Sequence, residues 1–198
     1  MKPYAFLITV LSFGLASCNP PEFKDGDIIF HTSKSSQSAV ISQITESELT
    51  HCGIIFYKKG KPYVLEAVNP VRSIPLSTWV SNGVGGKYKV VRLNYVLREN
   101  HKKTMYSYAK AQIGKKYDYT FGWSDSKMYC SELVWKIYKE TLDIEIGDLQ
   151  ELREFDLTND IVKNKMKERY GDKIPLDEKV ISPATMFDSD KLLTVREN

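Results

Sequence analysis

Cysteine and histidine are scarce in this sequence, with three of each among 198 residues, and neither type forms a Cys-x-x-Cys or His-x-x-x-His pair. A zinc site built from His31, His51, Cys52 and Cys130 is therefore only weakly indicated, because structural zinc sites usually show such spacing. Basic side chains number 28 against 25 acidic ones and are scattered along the chain. Without a basic stripe, nucleic-acid binding is not predicted.

Long apolar runs are also rare, and the one that stands out lies at the N-terminus. A basic residue precedes a mostly apolar stretch at 5–15, and a Leu-Ala-Ser-Cys tetrad ends at Cys18. This order is typical of an export signal, and the run is too short for a spanning helix. The tetrad resembles a bacterial lipobox. We therefore expect residues 1–17 to be a lipoprotein signal peptide and Cys18 to be lipidated.

The sequence after residue 17 indicates a short tether followed by one domain. Pro20 and Pro21 favour an extended linker over a buried strand, so residues 18–24 are expected to be the tether. Residues 25–198 suit a single α+β domain with its own core. Export and lipidation together predict a protein anchored to a membrane of the cell envelope, on its periplasmic or outer-surface face.

Hydrophobic periodicity predicts an alternation of strands and helices along this domain. Strands are expected at 27–30, 52–57, 62–68 and 87–93, and helices at 34–48, 105–113, 130–140, 160–169 and from Ser182 onward. The segments 52–57 and 62–68 flank a Lys-Lys-Gly-Lys sequence, which is typical of a β-hairpin. The helix that begins at Cys130 carries a marked apolar stripe.

The predicted hairpin brings a histidine and a carboxylate onto one face. If the turn is centred on Lys59 and Gly60, then Glu66 lies opposite Gly53, and His51 is its diagonal neighbour on the same face. A three-residue loop would instead place Glu66 on the other face. An unpaired carboxylate among apolar neighbours is costly, which favours a His51–Glu66 pair.

Two cysteines compete for the role of nucleophile. Cys52 adjoins His51, but successive strand side chains point to opposite faces, so we expect Cys52 in the core. Cys130 begins a helix, where free N–H groups and the helix dipole favour a thiolate and can hold an oxyanion. Spacing alone leaves open a Cys52–Cys130 disulfide in a non-enzymatic, ligand-binding lipoprotein.

Four short motifs resemble the NlpC branch of the papain-like cysteine hydrolases. These are Gly26-Asp27-Ile28-Ile29-Phe30, His51-Cys52-Gly53-Ile54-Ile55, Glu66, and Tyr129-Cys130-Ser131-Glu132-Leu133-Val134. Ordinary members place the cysteine helix before the Gly-Asp and histidine strands. Here that helix comes last, which is similar to the circularly permuted YiiX/YebB-like amidases. The resemblance implies a permuted papain-like fold in which an antiparallel sheet packs against the nucleophile helix.

The resemblance also implies roles for individual residues. Cys130 becomes the nucleophile, His51 the general base, and Glu66 the residue that orients the imidazole. Tyr117, in a segment similar to the family's Gly-x-x-Tyr, is a substrate-binding candidate together with His31, Gln37 and Tyr129. Glu132 is a departure, because ordinary members carry glycine at that position, and peptidoglycan specificity is therefore not transferred.

The implied reaction is hydrolysis of an amide through a thioester, with no metal or organic cofactor expected. A peptide, a cell-wall peptide or a lipid-linked amide are the substrates that the resemblance suggests. Two alternatives remain open from the sequence. One is a membrane-associated lipid acyltransferase or esterase on the same fold, and the other is the disulfide-bonded binding protein.

Overall fold

A computed structural model describes residues 23–198. The predicted signal peptide, the predicted lipidation site Cys18 and most of the predicted tether lie outside these described residues. Within 23–198, no helix combines the length and the apolar character that crossing a membrane requires.

A six-stranded antiparallel sheet forms the centre of the domain, with strand order β10-β5-β1-β2-β3-β4. Its strands are β1 (Ile28–His31), β2 (His51–Lys58), β3 (Lys61–Glu66), β4 (Arg72–Pro75), β5 (Lys89–Leu93) and β10 (Leu192–Glu197). Four two-residue strands form two smaller ladders: β6 (Lys116–Tyr117) with β7 (Lys127–Met128), and β8 (Gln150–Glu151) with β9 (Lys179–Val180).

The helices lie on both faces of this sheet. They are α1 (Ser38–Thr45), α2 (Leu76–Asn82), α3 (Glu99–Ala111), α4 (Cys130–Leu142), α5 (Asp160–Tyr170) and α6 (Pro183–Phe187), with 3-10 turns at Val84–Gly86 and Leu152–Glu154. The permuted papain-like α+β fold predicted from the sequence is confirmed, with the antiparallel sheet packed against the helix that begins at Cys130.

Strand alternation divides the core between the two faces. On one face, Cys52 and Ile54 of β2 pack with the stripe of α4 that carries Leu133 and Ile137. On the other face, Ile55 packs with the fully buried Trp79 of α2. Because residues one position apart belong to different layers, each β2 side chain has a fixed direction.

The β2–β3 hairpin has the predicted register. Ile54 pairs with Leu65 and Lys58 pairs with Lys61. Lys59 and Gly60 form the turn with φ of 49° and 75°, which is the left-handed pair that a two-residue type I′ turn requires. Gly53 is closely packed in this hairpin, because a Cβ there would lie 2.5 Å from Cγ1 of Val64.

Several segments differ from the predictions. The helix expected at 34–48 is shorter, at Ser38–Thr45. The first strand includes His31 and pairs it with His51. Neither β4 nor the edge strand β10 was predicted, since both are partly exposed and show little alternation of burial. Their place is decided by pairing with strands distant in sequence.

The Gly-Asp motif at the start of β1 has a structural role. The buried Asp27 carboxylate accepts hydrogen bonds from Arg92 Nε at 2.7 Å and Nη2 at 2.8 Å. The carbonyl of Gly26 accepts a hydrogen bond from the Tyr138 hydroxyl. Gly26 itself has φ +91°, and a Cβ at this position would lie 2.6 Å from Leu97 Cδ1. The motif therefore joins β1 to β5 and to α4.

Candidate active site

Cys130 is the first residue of α4, and its side chain is almost fully buried. The preceding Tyr129 is extended, with φ −100° and ψ 170°, so the helix begins abruptly. Glu132 Oε2 accepts the Tyr129 N–H at 3.2 Å. The N–H groups of Cys130 and Ser131, in the first turn, have no acceptor within the helix. They are therefore suited to hold an oxyanion next to the sulfur atom.

His51 lies at the start of β2 and is held by a carboxylate from β3. Its Nε2–H donates to Glu66 Oε2 at 2.7 Å, and the other carboxylate oxygen accepts from Arg72 Nε at 2.9 Å. Arg72 reaches this position because it pairs with Glu66 across β3 and β4. With Nε2 bound to Glu66, Nδ1 is the ring nitrogen left for the hydrogen bond that joins His51 to Cys130.

The charges on Cys130, His51 and Glu66 stabilise one another. Burial on its own lowers the pKa of His51, but its hydrogen bonds to Cys130 and Glu66 outweigh burial and raise that pKa to about 10. The pKa of Cys130 is lowered well below its usual value by a hydrogen bond from Cys52 and by His51, against the effect of burial. The pair is therefore a thiolate and an imidazolium at neutral pH.

Cys52, on strand β2, contacts Cys130. Both cysteines are free thiols in the structure, so the disulfide considered from the sequence is not formed. Burial raises the pKa of Cys52 well above its usual value, and the hydrogen bond to Cys130 adds to this effect. Cys52 therefore keeps its proton and donates S–H to the Cys130 thiolate. It lies in the core as predicted, and it contacts Cys130 as a thiol and not through the disulfide that the sequence left open.

His31 lies beside His51 without sharing its charge. The two rings have centroids 5.3 Å apart, and His31 stacks on Trp79 at 3.9 Å. Burial, followed by repulsion from His51, lowers the pKa of His31 to about 3. The close packing needs Gly83, where a Cβ would lie 2.7 Å from His31 Nδ1. His31 is thus a neutral ring that supports the site.

A polar cleft of about 490 Å³ opens in front of His51 and Glu66. Tyr117 and Gln37, both predicted as substrate contacts, line it. Burial, together with the negative charge of Cys130, raises the pKa of Tyr117 well above its usual value, so its hydroxyl stays a donor. Gln37 Oε1 accepts from Arg169 Nη2 at 2.9 Å. These side chains are placed to contact a polar ligand.

Tyr129, also predicted as a substrate contact, lies in the core with 2% of its surface exposed. Its hydroxyl accepts the Ile181 N–H at 3.1 Å, which ties the start of α4 to the C-terminal segment. Glu132 is fully buried and lies 2.8 Å from Lys136 Nζ. Burial raises the pKa of Glu132 to about 7, against the opposing effect of Lys136. Both residues thus hold the helix start.

Sequence reasoning missed two members of this site. Arg72 was not recognised because β4 was not predicted, although the Asn69-Pro70 turn signal precedes it. Trp79 lies in a short helix among polar residues, so its stacking on His31 had no local signal beyond the presence of a large aromatic residue.

A cysteine thiolate at a helix start, an imidazolium on the adjoining sheet and a carboxylate behind it define a papain-like cysteine hydrolase. Comparison agrees with this class. The chain belongs to the family described as "Permuted papain-like amidase enzyme, YaeF/YiiX, C92 family", which matches residues 22–196.

Two related proteins are similar to this chain over most of their length. "Uncharacterized protein YiiX" of Escherichia coli (strain K12) is 46% identical over 170 residues, which cover 86% of this chain and 84% of that protein. The crystal structure of "metalloprotein yiiX" from Escherichia coli O157:H7 is 45% identical, with a TM-score of 0.86, and covers 90% of this chain and 98% of that chain.

A zinc ion does not fit the side chains of His31, His51, Cys52 and Cys130. The Cys52 thiol is directed at Cys130, and His31 stacks on Trp79. Arg72 places a positive charge 2.9 Å from the carboxylate that holds His51, which disfavours a second cation there. Across residues 23–198, no three His, Cys, Asp or Glu side chains converge as metal ligands do.

The role of Cys52 can be measured through the pH dependence of Cys130 alkylation. Removing the S–H donor in Cys52→Ala should raise the pKa of Cys130, because a hydrogen bond to a charged group stabilises it by about 1.5 kcal/mol. The rate at which iodoacetamide alkylates Cys130 is then measured by mass spectrometry of the Cys130 peptide. As the pH is lowered, this rate should fall at a higher pH in the variant than in the wild type.

Cys52→Ser is the matched control, because its hydroxyl keeps a donor at the same position. We expect its alkylation profile to lie closer to that of the wild type. Identical profiles for Cys52→Ala and the wild type would show that this hydrogen bond does not stabilise the thiolate.

Proposed function

We propose that this protein is a cysteine amidase of the cell envelope, anchored through lipidated Cys18, that hydrolyses an amide bond through a thioester on Cys130. The observation that carries the reaction is the row Cys130–His51–Glu66, with the 2.7 Å His51–Glu66 hydrogen bond behind the nucleophile. Peptides, cell-wall peptides and lipid-linked amides are the substrate classes to be tested.

The first half of the reaction forms the thioester. The Cys130 thiolate attacks the carbonyl carbon of the amide, and the first-turn N–H groups of α4 hold the resulting oxyanion. His51, already an imidazolium, donates its Nδ1 proton to the nitrogen of the leaving amine. The C–N bond breaks, the amine departs, and the acyl group stays on the sulfur atom.

The second half releases the acid. Neutral His51 accepts a proton from water, whose oxygen attacks the thioester carbonyl. The C–S bond breaks, so the carboxylic acid leaves and the thiolate–imidazolium pair is restored. Through both steps Glu66 holds Nε2–H, which keeps Nδ1 directed at the reacting atoms.

Two features support an envelope location. The tetrad that ends at Cys18 follows a short apolar run, in the order typical of lipoprotein signals. The described domain begins its first strand at Ile28, shortly after this cysteine. A lipid on Cys18 would therefore hold the catalytic domain near the membrane surface.

The amidase reaction is tested by a substrate screen with an inactive control. Murein peptides, lipoamides and simple acyl amides should include at least one that the wild type hydrolyses, while Cys130→Ala gives no product above background. Turnover should be lost on pretreatment with iodoacetamide, and product should be detected by mass spectrometry. Equal hydrolysis by folded Cys130→Ala protein would refute the nucleophile and with it the proposed reaction.

The role of Glu66 is tested by a double-mutant cycle with Arg72. Glu66→Gln should lower kcat by about a hundredfold, because a neutral amide must direct its NH₂ group at one of two donors, His51 Nε2 or Arg72 Nε. With Arg72→Ala the amide oxygen is free to face His51. Glu66→Gln should therefore cost less in that background than in the wild type.

Circular dichroism controls for folding in all three variants of this cycle. Wild-type turnover in Glu66→Gln would remove Glu66 from the mechanism. Equal losses in both backgrounds would show that the conflict with Arg72 is not the cause.

Lipidation is tested on the full-length chain in a bacterial host. Wild-type protein should incorporate labelled fatty acid and sediment with membranes, whereas Cys18→Ser should do neither. Cys130→Ser is the matched control, since it removes a different cysteine and should remain in the membrane fraction. Fatty-acid labelling that persists in Cys18→Ser would contradict the anchor.

A further inference from the structure

A second, smaller pocket is lined by Cys130 itself. Its volume is about 40 Å³, and it is open to solvent on one side. The other walls are mainly apolar and include Leu152, Phe155, Met166 and Val180. Ile41 borders both cavities. Cys130 thus lines the narrow apolar pocket, whereas its partner His51 lines the wide cleft.

The chemistry of the proposed reaction assigns one half of the substrate to each space. His51 must donate its proton to the leaving amine, and His51 lines the polar cleft. The amine therefore departs through that cleft. The acyl group remains bonded to Cys130 in the thioester, and its substituent must extend away from the amine. The apolar pocket is the cavity that Cys130 itself lines, so it is the space next to the acyl group.

The size of the pocket limits what it can hold. Since an apolar cavity of about 150 Å³ accepts a benzene molecule and a single water needs about 10–15 Å³, 40 Å³ has room for roughly two or three carbon atoms. A methyl, ethyl or propyl group fits this space. A long alkyl chain does not fit unless the walls move.

We propose that this pocket binds the acyl substituent of the substrate and selects amides of short apolar acids, including an alanine-type methyl. The proposal rests on the proposed amidase function, because it uses the direction in which the amine leaves. It narrows the substrate class to amides with a small apolar group on the acyl carbon and a polar amine.

A series of acyl p-nitroanilides with one leaving group tests this selectivity. Relative to acetyl, butyryl should raise kcat/KM by roughly threefold to fourfold for each methylene that the pocket buries. Octanoyl should then fall at least about tenfold below butyryl, since the chain is longer than the narrow pocket and overpacking its walls is costly. Equal rates across the series, or a preference for octanoyl, would overturn the proposal.

Enlarging the pocket should move the preference toward longer chains. Leu152→Ala removes wall atoms and should improve octanoyl relative to butyryl. Val162→Ala is the matched control, because Val162 is buried in the same cluster as Leu152 but does not line the pocket. It should destabilise the fold without changing the ratio. Leu152→Val offers a milder change if Leu152→Ala does not fold.

Alkyl methanethiosulfonates separate this proposal from the reaction itself. The Cys130 thiolate attacks the reagent's divalent sulfur, a sulfinate leaves, and a Cys130–S–S–alkyl disulfide forms. Wild-type protein should react faster with the propyl reagent than with the octyl one, as read from the mass of the Cys130 peptide.

The two measurements together decide which proposal fails. Faster labelling by the propyl reagent, without hydrolysis of any amide, would support the proposed pocket and refute the proposed amidase activity. Amide hydrolysis with no chain-length dependence in either measurement would keep the amidase and refute the pocket.

Discussion

Four buried or half-buried groups of alternating charge lie in one row, and the rest of the site depends on that row. The Cys130 thiolate faces the His51 imidazolium, which donates to Glu66, which in turn accepts from Arg72. Each charge would be costly in isolation, because burial removes it from water. Arg72, at 48% side-chain exposure, is the most exposed of the four. The row therefore forms as a unit where α4 meets β2, β3 and β4.

Strand β2 supplies this unit from both of its faces. His51 points to the face that carries Glu66, whereas Cys52 points to the core beneath α4. Both contact Cys130, one as a charged partner and the other as a neutral thiol donor. Two adjacent residues can do this because Cys130, the first residue of α4, lies at the start of β2, within reach of His51 and Cys52. A shift of one residue in the register would exchange the two side chains and remove the pair.

Two cavities of different character border the pair of Cys130 and His51. His51 lines the wide cleft together with Tyr117, and Cys130 lines the narrow apolar pocket. His31 keeps its neutral form between His51 and Trp79, so it adds no second positive charge next to the imidazolium. The proposed division of a substrate between the two cavities depends on this arrangement.

The sequence by itself determined what depends on neighbouring residues. The Lys59-Gly60 turn set the hairpin register, alternation set the faces of His51 and Cys52, and the apolar stripe after Cys130 set the start of α4. Only the tertiary structure decided the place of Arg72, the stacking of Trp79 on His31, the pairing of β10 and the contact of Cys52 with Cys130. These contacts join segments far apart in the chain, and no local periodicity records which distant element will pack against another.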